Sequence, residues 1–516
     1  MVGVVILPEE ILGKLKKNIL PQWKMCFFSA VVVGLIAHLY KITNWLPNWD
    51  SLVFRYDAQN MVSIGRWFLP VVASLSSFYD LPWVTGLLAI IFHGLGAVCI
   101  CKMFNVKKST TAILIGAAVV SFPTVTSVML YNYVADAYAI SFFLACLAAL
   151  LMTSEKPKFI LAVVLIALSV GIYQAYITVT IMLLLCYLIV NVFNKEATLK
   201  TMLVKGAKFL LTGALGMALY YLVLNVVLKV TSTELLEYQG LDSALSFSGF
   251  HLLGSLYTIK ESFVDYFFNF SNGLNVFNTI NVIVFVLTFV FYLIDVIKQK
   301  LNLSRILALC MFAILLPFGA NVLAFLNSAI DYHNLMLMGF FVFYLFFILH
   351  YENVEFKNKK ASSLKSWAIL LVTTILIFNQ VIVANVSYHK LNIAYEKSFA
   401  TIIRIVDRIE QTENAQNCDK ILVLGALEGS EAYSANLSPE ITGTTDSYIL
   451  RADDEIVGQS VLCSALNDYG AKNYKFVSGN EKTKLLEKID MNSLTNWPDK
   501  NSICVIDNVI VIKLGD

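Results

Sequence analysis

Eleven long apolar runs, separated by short polar stretches, constrain this sequence more than any other feature. A helix that crosses a bilayer core needs roughly 20 apolar residues, and each run approaches that length. The composition agrees, because 58% of the 516 residues are hydrophobic and only 14% are charged. The runs are 25–42, 81–101, 109–130, 133–152, 158–173, 175–193, 207–229, 276–297, 305–326, 334–350 and 366–386. The sequence therefore predicts a polytopic α-helical membrane protein with about eleven transmembrane helices.

The distribution of positive charge predicts which side of the membrane each loop occupies. With a cytoplasmic N-terminus, twenty Lys and Arg residues lie in inner segments, and five lie in outer segments before residue 387. This asymmetry follows the positive-inside rule. Apolar residues on one helical face predict that 1–24 is an amphipathic cytoplasmic segment. The same topology places long outer loops at 43–80 and 230–275 and the C-terminal region outside the cytoplasm.

The C-terminal region, 387–516, differs from the rest of the chain. It contains 13 Lys and Arg, 19 Asp and Glu, and no spanning run. Apolar residues at helical spacing between Leu391 and Ile409 predict that the last transmembrane helix continues outward. Lys420–Gly425 and Ile503–Ile512 are predicted as strands. We therefore expect a transmembrane domain at 25–386 and a small extracytoplasmic α/β domain at 387–516, which is long enough to fold alone.

Charge and cysteine usage exclude several functions. The 38 Lys and Arg residues are balanced by 36 Asp and Glu residues, which leaves no basic surface for nucleic acid. No CxxC, HExxH or His cluster occurs, so the sequence predicts no dedicated zinc or redox site. A divalent cation is left open as a cofactor, and the sequence assigns no metal ligands.

The outer loop 43–80 combines aromatic, acidic and basic residues. Four of the seven tryptophans lie between positions 45 and 83, and two aspartates lie two helical turns apart. Aromatic rings can stack on sugars, carboxylates act as general bases, and guanidinium groups bind phosphates. The predicted catalytic residues are Asp50 and Asp57, and the predicted substrate-binding residues of this loop are Trp49, Arg55, Arg66 and Trp67.

Simpler roles also explain these residues. The tryptophans suit an interfacial aromatic belt. Asp50, which precedes Ser51, suits a helix N-cap. Arg55 suits an ion pair with Asp57 or with a lipid headgroup.

Further polar residues occur where the predicted helices reach the outer side. Asp136 lies about one turn inside the fourth helix, Tyr173 and Gln174 end the fifth, and His333 precedes the tenth. Ionisable groups inside a bilayer are costly and are commonly functional. Because these residues face the same side, they predict one polar cavity that opens outward and binds substrate.

The pattern resembles bacterial serotype-converting glucosyltransferases of the Gtr type II class. The resemblance rests on Asp50 and Asp57, Gly65–Pro70 (GRWFLP), Asp136-Ala137-Tyr138 and Gly171–Tyr176 (GIYQAY), and extends over most of the first 390 residues. That class is similar to the polytopic GT-C glycosyltransferases, which use polyprenyl-phosphate sugars and an acidic residue in the first outer loop.

The resemblance implies an inverting glycosyltransferase of a bacterial inner or plasma membrane. It would move a hexose, with glucose expected, from undecaprenyl phosphate to a cell-surface polysaccharide such as O-antigen or cell wall glycan. Membrane lipid, a donor synthase and a flippase are the implied partners. Arg66, with Arg55 and His333 as alternatives, is expected to bind the donor phosphate. Asp50 is expected to be the base, with Asp57 as the alternative.

Two positions depart from the family pattern, and two other functions stay open. Asp50 is followed by Ser51 where family members often have a second acidic residue, and His333 stands where an arginine is expected. A lipid-linked sugar transporter or flippase also suits a polytopic chain, although no internal repeat supports it. A polysaccharide polymerase or ligase would carry similar charged outer loops.

Overall fold

The computed structural model describes residues 9, 13, 19–53, 61–194, 198–236, 251–268, 276–328, 330–352, 359–427, 441–443, 458–470, 472–491 and 493–515. Within these ranges the chain is mostly helical, with one small sheet near the C-terminus. Most of the predicted amphipathic segment 1–24 lies outside the described residues. The same holds for Arg55, Asp57, the side chain of Trp49 and much of the loop 230–275.

The membrane domain consists of helices joined by short connections. The helices are α1 (Pro21–Thr43), α2 (Trp49–Val53), α3 (Leu69–Ala73), α4 (Pro82–Met103), α5 (Ser109–Ser121), α6 (Pro123–Leu130), α7 (Ala135–Thr153), α8 (Phe159–Ile172), α9 (Ile177–Val192), α10 (Leu199–Thr231), α11 (Leu252–Phe268), α12 (Val276–Gln299), α13 (Leu303–Ala320), α14 (Phe341–Glu352) and α15 (Lys359–Gln411). Single 3-10 turns lie between several of them, at Val62–Ile64, Ser74–Ser76, Asn132–Val134, Gln174–Tyr176, Val322–Phe325 and Asn334–Phe340.

All eleven predicted runs coincide with helical segments. Among the described residues, nine segments are long and apolar enough to cross a bilayer. Helices α5 and α6 are together long and apolar enough for a further span or a re-entrant loop, and they are bent by 42°, because Pro123 at the start of α6 cannot continue the hydrogen bonding of α5. Helix α8 is apolar but has only 14 residues. The structure therefore supports a membrane-embedded protein, while eleven crossings and their direction stay predictions.

Small residues allow the first helices of the domain to pack closely. Helix α1 packs against α4 and α5, and α4 packs against α7. A Cβ atom at Gly116 in α5 would clash with the carbonyl oxygen of Cys26 in α1. Such backbone proximity is typical of membrane helices, where van der Waals contact replaces the hydrophobic effect as the source of packing energy.

Helix α15 connects the membrane domain to the C-terminal domain without a break. It has 53 residues, which corresponds to about 80 Å at 1.5 Å per residue. Its last turns place Ile402, Ile405 and Ile409 in the core of the C-terminal domain. The predicted continuation of this helix beyond the last apolar run is thus confirmed, its outward direction stays a prediction, and the predicted boundary at residue 387 falls inside it.

The C-terminal domain contains a four-stranded sheet. Its strands are β1 (Lys420–Leu424), β2 (Lys475–Phe476), β3 (Ile503–Ile506) and β4 (Val509–Lys513), in the order β2-β1-β4-β3. β1 is parallel to β2 and β4, whereas β3 and β4 are antiparallel. The predicted strand segment 503–512 is therefore a hairpin, since Asp507 and Asn508 adopt positive φ angles of 49° and 61°, as a two-residue turn requires. Helices α16 (Gly458–Tyr469) and α17 (Gly479–Leu486) complete the domain.

Where the two domains meet, a residue from each part of the chain is buried in the hydrophobic core of the other. Leu52, which follows the first membrane helix, is 4% exposed and belongs to the hydrophobic core of the C-terminal domain together with Leu462 and Leu466 of α16. In the opposite direction, Ile441 of the C-terminal domain is 1% exposed and belongs to the core of the membrane domain. Leu52 lies two residues after Asp50, and Ile441 directly precedes Thr442.

Candidate functional site

Arg66 is held by a tight turn of the first outer loop. The 3-10 turn Val62–Ile64 ends at Gly65, which has a φ of +82°, a conformation that glycine adopts without steric cost. The amide of Arg66 donates to the carbonyl of Met61 over 3.1 Å. The amide of Phe68 donates to the carbonyl of Gly171 at the end of α8 over 2.8 Å. The backbone on both sides of Arg66 is therefore fixed.

Residues from later helices hold the turn from the other side. The Gln174 Nε2 donates to the carbonyl of Ile64 over 2.8 Å. Tyr220 of α10 donates its hydroxyl to the carbonyl of Gly65 over 3.1 Å. Gln174, predicted to bind substrate, thus has a clear positioning contact, and its binding role stays a prediction.

Two stacked tyrosines bind the Arg66 side chain. The Arg66 Nη1 donates to the hydroxyl of Tyr138 over 2.8 Å, and the guanidinium carbon lies 4.7 Å from the ring centroid of Tyr173. The rings of Tyr138 and Tyr173 are 4.5 Å apart and inclined by only 10°. Because Arg66 is 9% exposed, its cation is oriented by aromatic faces rather than by bulk water. Such a planar cation suits a phosphate group.

Trp67 packs inside the protein. A Cβ atom at Gly171 would lie 2.7 Å from the Trp67 ring, so the indole lies directly against the backbone of α8. Its Nε1 is buried and has no hydrogen-bond partner among the described residues. This packing does not fit a simple interfacial belt, which would place the polar edge of the ring towards the headgroups.

Asp50 lies in the first turn of α2, but it does not cap that helix. Asn48 does so, because its Oδ1 accepts from both the amide and the hydroxyl of Ser51 over 2.9 Å. Asp50 is partly buried. Burial raises the pKa of Asp50 from 3.8 to about 7, and the positive charge of Arg66 opposes that increase. A carboxylate with a pKa near neutrality is suited to general-base catalysis.

The charge of Arg66 also acts on His333. Burial lowers the pKa of His333 to about 4, Asp331 opposes this decrease, and Arg66 adds to it. Near neutral pH the imidazole is therefore uncharged, so it is suited to hydrogen bonding rather than to the cationic phosphate contact that the sequence suggested. Its Nδ1 is buried and has no partner in the described part of the chain.

Asp136 is completely buried in the first turn of α7. One carboxylate oxygen accepts from the amide of Ala137 over 2.9 Å, and Oδ2 has no hydrogen-bond partner among the described residues. A buried carboxylate oxygen without a partner is costly, which is consistent with a functional role.

Asp80 was not selected from the sequence, although the structure gives it a defined role. It accepts from the Trp45 Nε1 over 3.0 Å and from the Asn132 Nδ2 over 2.6 Å. These bonds connect the two ends of the first outer loop with the start of α7. The only signal for Asp80 in the sequence is that the loop contains no other Asp or Glu between Asp57 and Asp80.

The structure thus brings several predicted residues together around Arg66. Tyr173 contacts its guanidinium, and Asp50 and His333 experience its charge. Among the described residues, no group of three His, Cys, Asp or Glu side chains is placed to hold a metal ion.

A membrane-embedded helical domain that carries a carboxylate, an arginine and aromatic rings at one end is compatible with an integral membrane glycosyltransferase. The family comparison is more specific. The glucosyl transferase GtrII family matches residues 39–342, which is more than half of the chain. The chain belongs to the GtrII glucosyl transferase family. Neither the curated proteins nor the solved structures provide a match.

Proposed function

We propose that this glucosyltransferase moves glucose from a polyprenyl-phosphate carrier to a surface glycan, on the outer side of a bacterial cytoplasmic membrane. The observation that carries the proposal is the buried Arg66 guanidinium, which Tyr138 and Tyr173 hold at one end of the membrane helices and whose charge opposes the increase that burial causes in the pKa of the Asp50 carboxyl. The family membership supports sugar transfer rather than transport. Undecaprenyl phosphate is the expected carrier, supplied by a donor synthase and a flippase.

In this proposal Asp50 acts as the general base. The acceptor hydroxyl oxygen attacks the anomeric carbon, and its proton passes to the Asp50 carboxylate. A pKa near 7 allows the ionised form to exist at neutral pH and still gives the carboxylate useful basicity. A single displacement of this kind inverts the anomeric centre. Asp57, which lies outside the described residues, is the alternative base.

Arg66 acts on the leaving group. When the bond between the anomeric carbon and the phosphate oxygen breaks, its electron pair stays on the polyprenyl phosphate. A guanidinium that Tyr138 and Tyr173 already orient stabilises this charge without reorganisation. His333 supports the phosphate or the sugar as a neutral hydrogen-bonding group, Tyr173 lines the sugar path, and the buried Asp136 helps to position the sugar. Trp67, which packs against Gly171, supports the loop that carries Arg66.

The decisive experiment uses purified full-length protein and radiolabelled glucose. Polyprenyl-phosphate glucose and UDP-glucose are compared as donors, with the surface glycan of the source strain as acceptor. We expect transfer from the lipid-linked donor alone, with release of free polyprenyl phosphate. Asp50→Asn should lower that rate by roughly a hundred- to ten-thousand-fold.

The matched control is Asp265→Asn, which changes an exposed carboxylate on α11 and should transfer glucose at the rate of the unmodified protein. Transfer from UDP-glucose would contradict the donor assignment. If Asp57→Asn abolished transfer while Asp50→Asn did not, the base would be Asp57.

A further inference from the structure

The C-terminal domain reaches into the membrane domain through a short described segment, Ile441–Gly443. Ile441 is 1% exposed within the membrane-domain core. Gly443 has a φ of +103°, and a Cβ atom there would lie 2.9 Å from the Cβ of Leu130 at the end of α6. Only a residue without a side chain fits this conformation and this distance without strain. The segment is therefore closely packed against the membrane helices.

Thr442, at the centre of this segment, bonds to Asn334 through three hydrogen bonds. The Asn334 amide donates to the Thr442 Oγ1 over 3.1 Å. The amide and the hydroxyl of Thr442 both donate to the Asn334 Oδ1 over 3.0 Å. Since Asn334 directly follows His333, these bonds fix the backbone that carries the imidazole.

Two residues of α6 complete the contact. Ser127 donates its hydroxyl to the carbonyl of Thr442 over 2.8 Å, and Thr124 donates to the carbonyl of Asn334 over 2.7 Å. The outer domain, α6 and the 3-10 turn Asn334–Phe340 thus share one hydrogen-bond network. Networks of this kind hold their members in a single arrangement.

The outer domain also supports the opposite side of the site. Leu52 is buried in its core, two residues after Asp50. Neighbours two apart on a helix point in nearly opposite directions, so burial of Leu52 directs Asp50 away from the outer domain. Trp45, at the start of the same loop, packs edge-on against Tyr395 of α15, with the ring centroids 5.7 Å apart.

We infer that the outer domain is a structural part of the transferase site and that Thr442 is a positioning residue, which orients His333 through Asn334. This inference rests on the proposed function for its kinetic consequence. Thr442 itself contacts no substrate. The alternative is that the C-terminal domain is a separate module and that its contacts with the membrane domain do not affect catalysis.

The test compares Thr442→Val, Thr442→Ser and Thr483→Val in the full-length protein. Valine has the shape of threonine without the hydroxyl, and serine restores the hydroxyl. Thr483 is an exposed threonine in α17 of the same domain, which makes its valine variant the matched control. Each variant is assayed for kcat and for KM towards polyprenyl-phosphate glucose. Hydrogen–deuterium exchange is followed for the peptide 331–340.

We expect Thr442→Val to lower kcat about tenfold with less than about a twofold change in KM, because the two hydrogen bonds that the Thr442 hydroxyl makes with Asn334 are lost and the effect is expressed at the transition state. The Asn334 amide should exchange faster, because its acceptor is lost. Thr442→Ser should restore both properties, and Thr483→Val should change neither. The melting temperature should stay close to that of the unmodified protein.

Unchanged exchange and unchanged kinetics in Thr442→Val would overturn the inference. Faster exchange with an unchanged kcat would also overturn it, because the contact would then be structural only. If the unmodified protein transferred no glucose from the lipid-linked donor, the proposed function would fail. Hydrogen–deuterium exchange would then be the only test of whether Thr442 fixes the backbone at His333 and Asn334.

Discussion

The guanidinium carbon of Arg66 lies 4.7 Å from the ring centroid of Tyr173. Tyr173 has an extended conformation directly after α8 and begins the connection to α9, so the loop 43–80 and the middle of the membrane domain meet at this contact. Tyr138 completes it by stacking on Tyr173 and accepting from the Arg66 Nη1. The orientation of the site's central cation therefore depends on residues far apart in the sequence.

Replacing Arg66 tests this arrangement. Arg66→Lys keeps the charge but loses the planar contact with Tyr173, so we expect a KM for the lipid-linked donor that is at least about tenfold higher. Arg66→Ala should raise the KM for the lipid-linked donor further. Tyr138→Phe removes one hydrogen bond and keeps the stacked ring, and it should cause a smaller increase. Full transfer by both Arg66 variants would show that the donor phosphate binds elsewhere.

The pKa of Asp50 predicts the pH dependence of transfer. The base must be ionised, so kcat/KM should rise with pH through about 7 and then level off. His333, with a pKa of about 4, should not contribute a step in this range. The residual activity of Asp50→Asn should lack the rise near pH 7. A profile that is flat between pH 6 and 8 in the unmodified protein would exclude Asp50 as the base.

The same pKa predicts an effect on stability with a defined sign. Because burial raises the pKa of Asp50 from 3.8 to about 7, the folded protein binds more protons than the unfolded chain between these values. The contribution of Asp50 to stability is therefore greatest near pH 4 and is lost as the pH rises through 7. Asp50→Asn should raise the melting temperature in detergent at pH 8 and change it little at pH 4. An equal change at both pH values would contradict the burial of this carboxylate.

Packing between Gly171 and Trp67 should be essential for the loop that carries Arg66. In Gly171→Ala the new methyl group would lie 2.7 Å from the indole, and overpacking of this kind costs about 1–3 kcal/mol. We expect a lower melting temperature and a higher donor KM, because the displaced ring moves the turn next to Arg66. Gly213→Ala in α10 is the matched control, since a Cβ atom there has no neighbour within 4 Å. If both variants behaved alike, Trp67 would not position the loop.

Cysteine labelling tests the predicted topology. Asn480 in the C-terminal domain and Glu155 between α7 and α8 are both exposed, and the topology places them on opposite sides of the membrane. After serine has replaced Cys310, Cys463 and Cys504, Asn480→Cys should react with a membrane-impermeant thiol reagent in intact cells. Glu155→Cys should react only after lysis. The reverse pattern would place the proposed site on the cytoplasmic side.

The sequence by itself was sufficient to locate the apolar helices, because a membrane span needs a long apolar run that short-range composition reveals. It also predicted the continuation of α15 beyond its apolar run and the family, whose motifs around Arg66, Asp136 and Gly171 are local. The hairpin at Asp507 and Asn508 was missed, since the flanking residues are apolar on both sides of the turn.

Only the tertiary structure decided which of these residues meet. Arg66 and Tyr173, Trp67 and Gly171, and Asn334 and Thr442 form contacts across long sequence separations, and no periodicity encodes such pairs. The uncharged state of His333 and the raised pKa of Asp50 likewise arise from burial, which depends on what the rest of the chain places around them. Local pattern therefore determines the helices of this protein, while the charges and orientations of its site follow from how those helices and the outer domain pack.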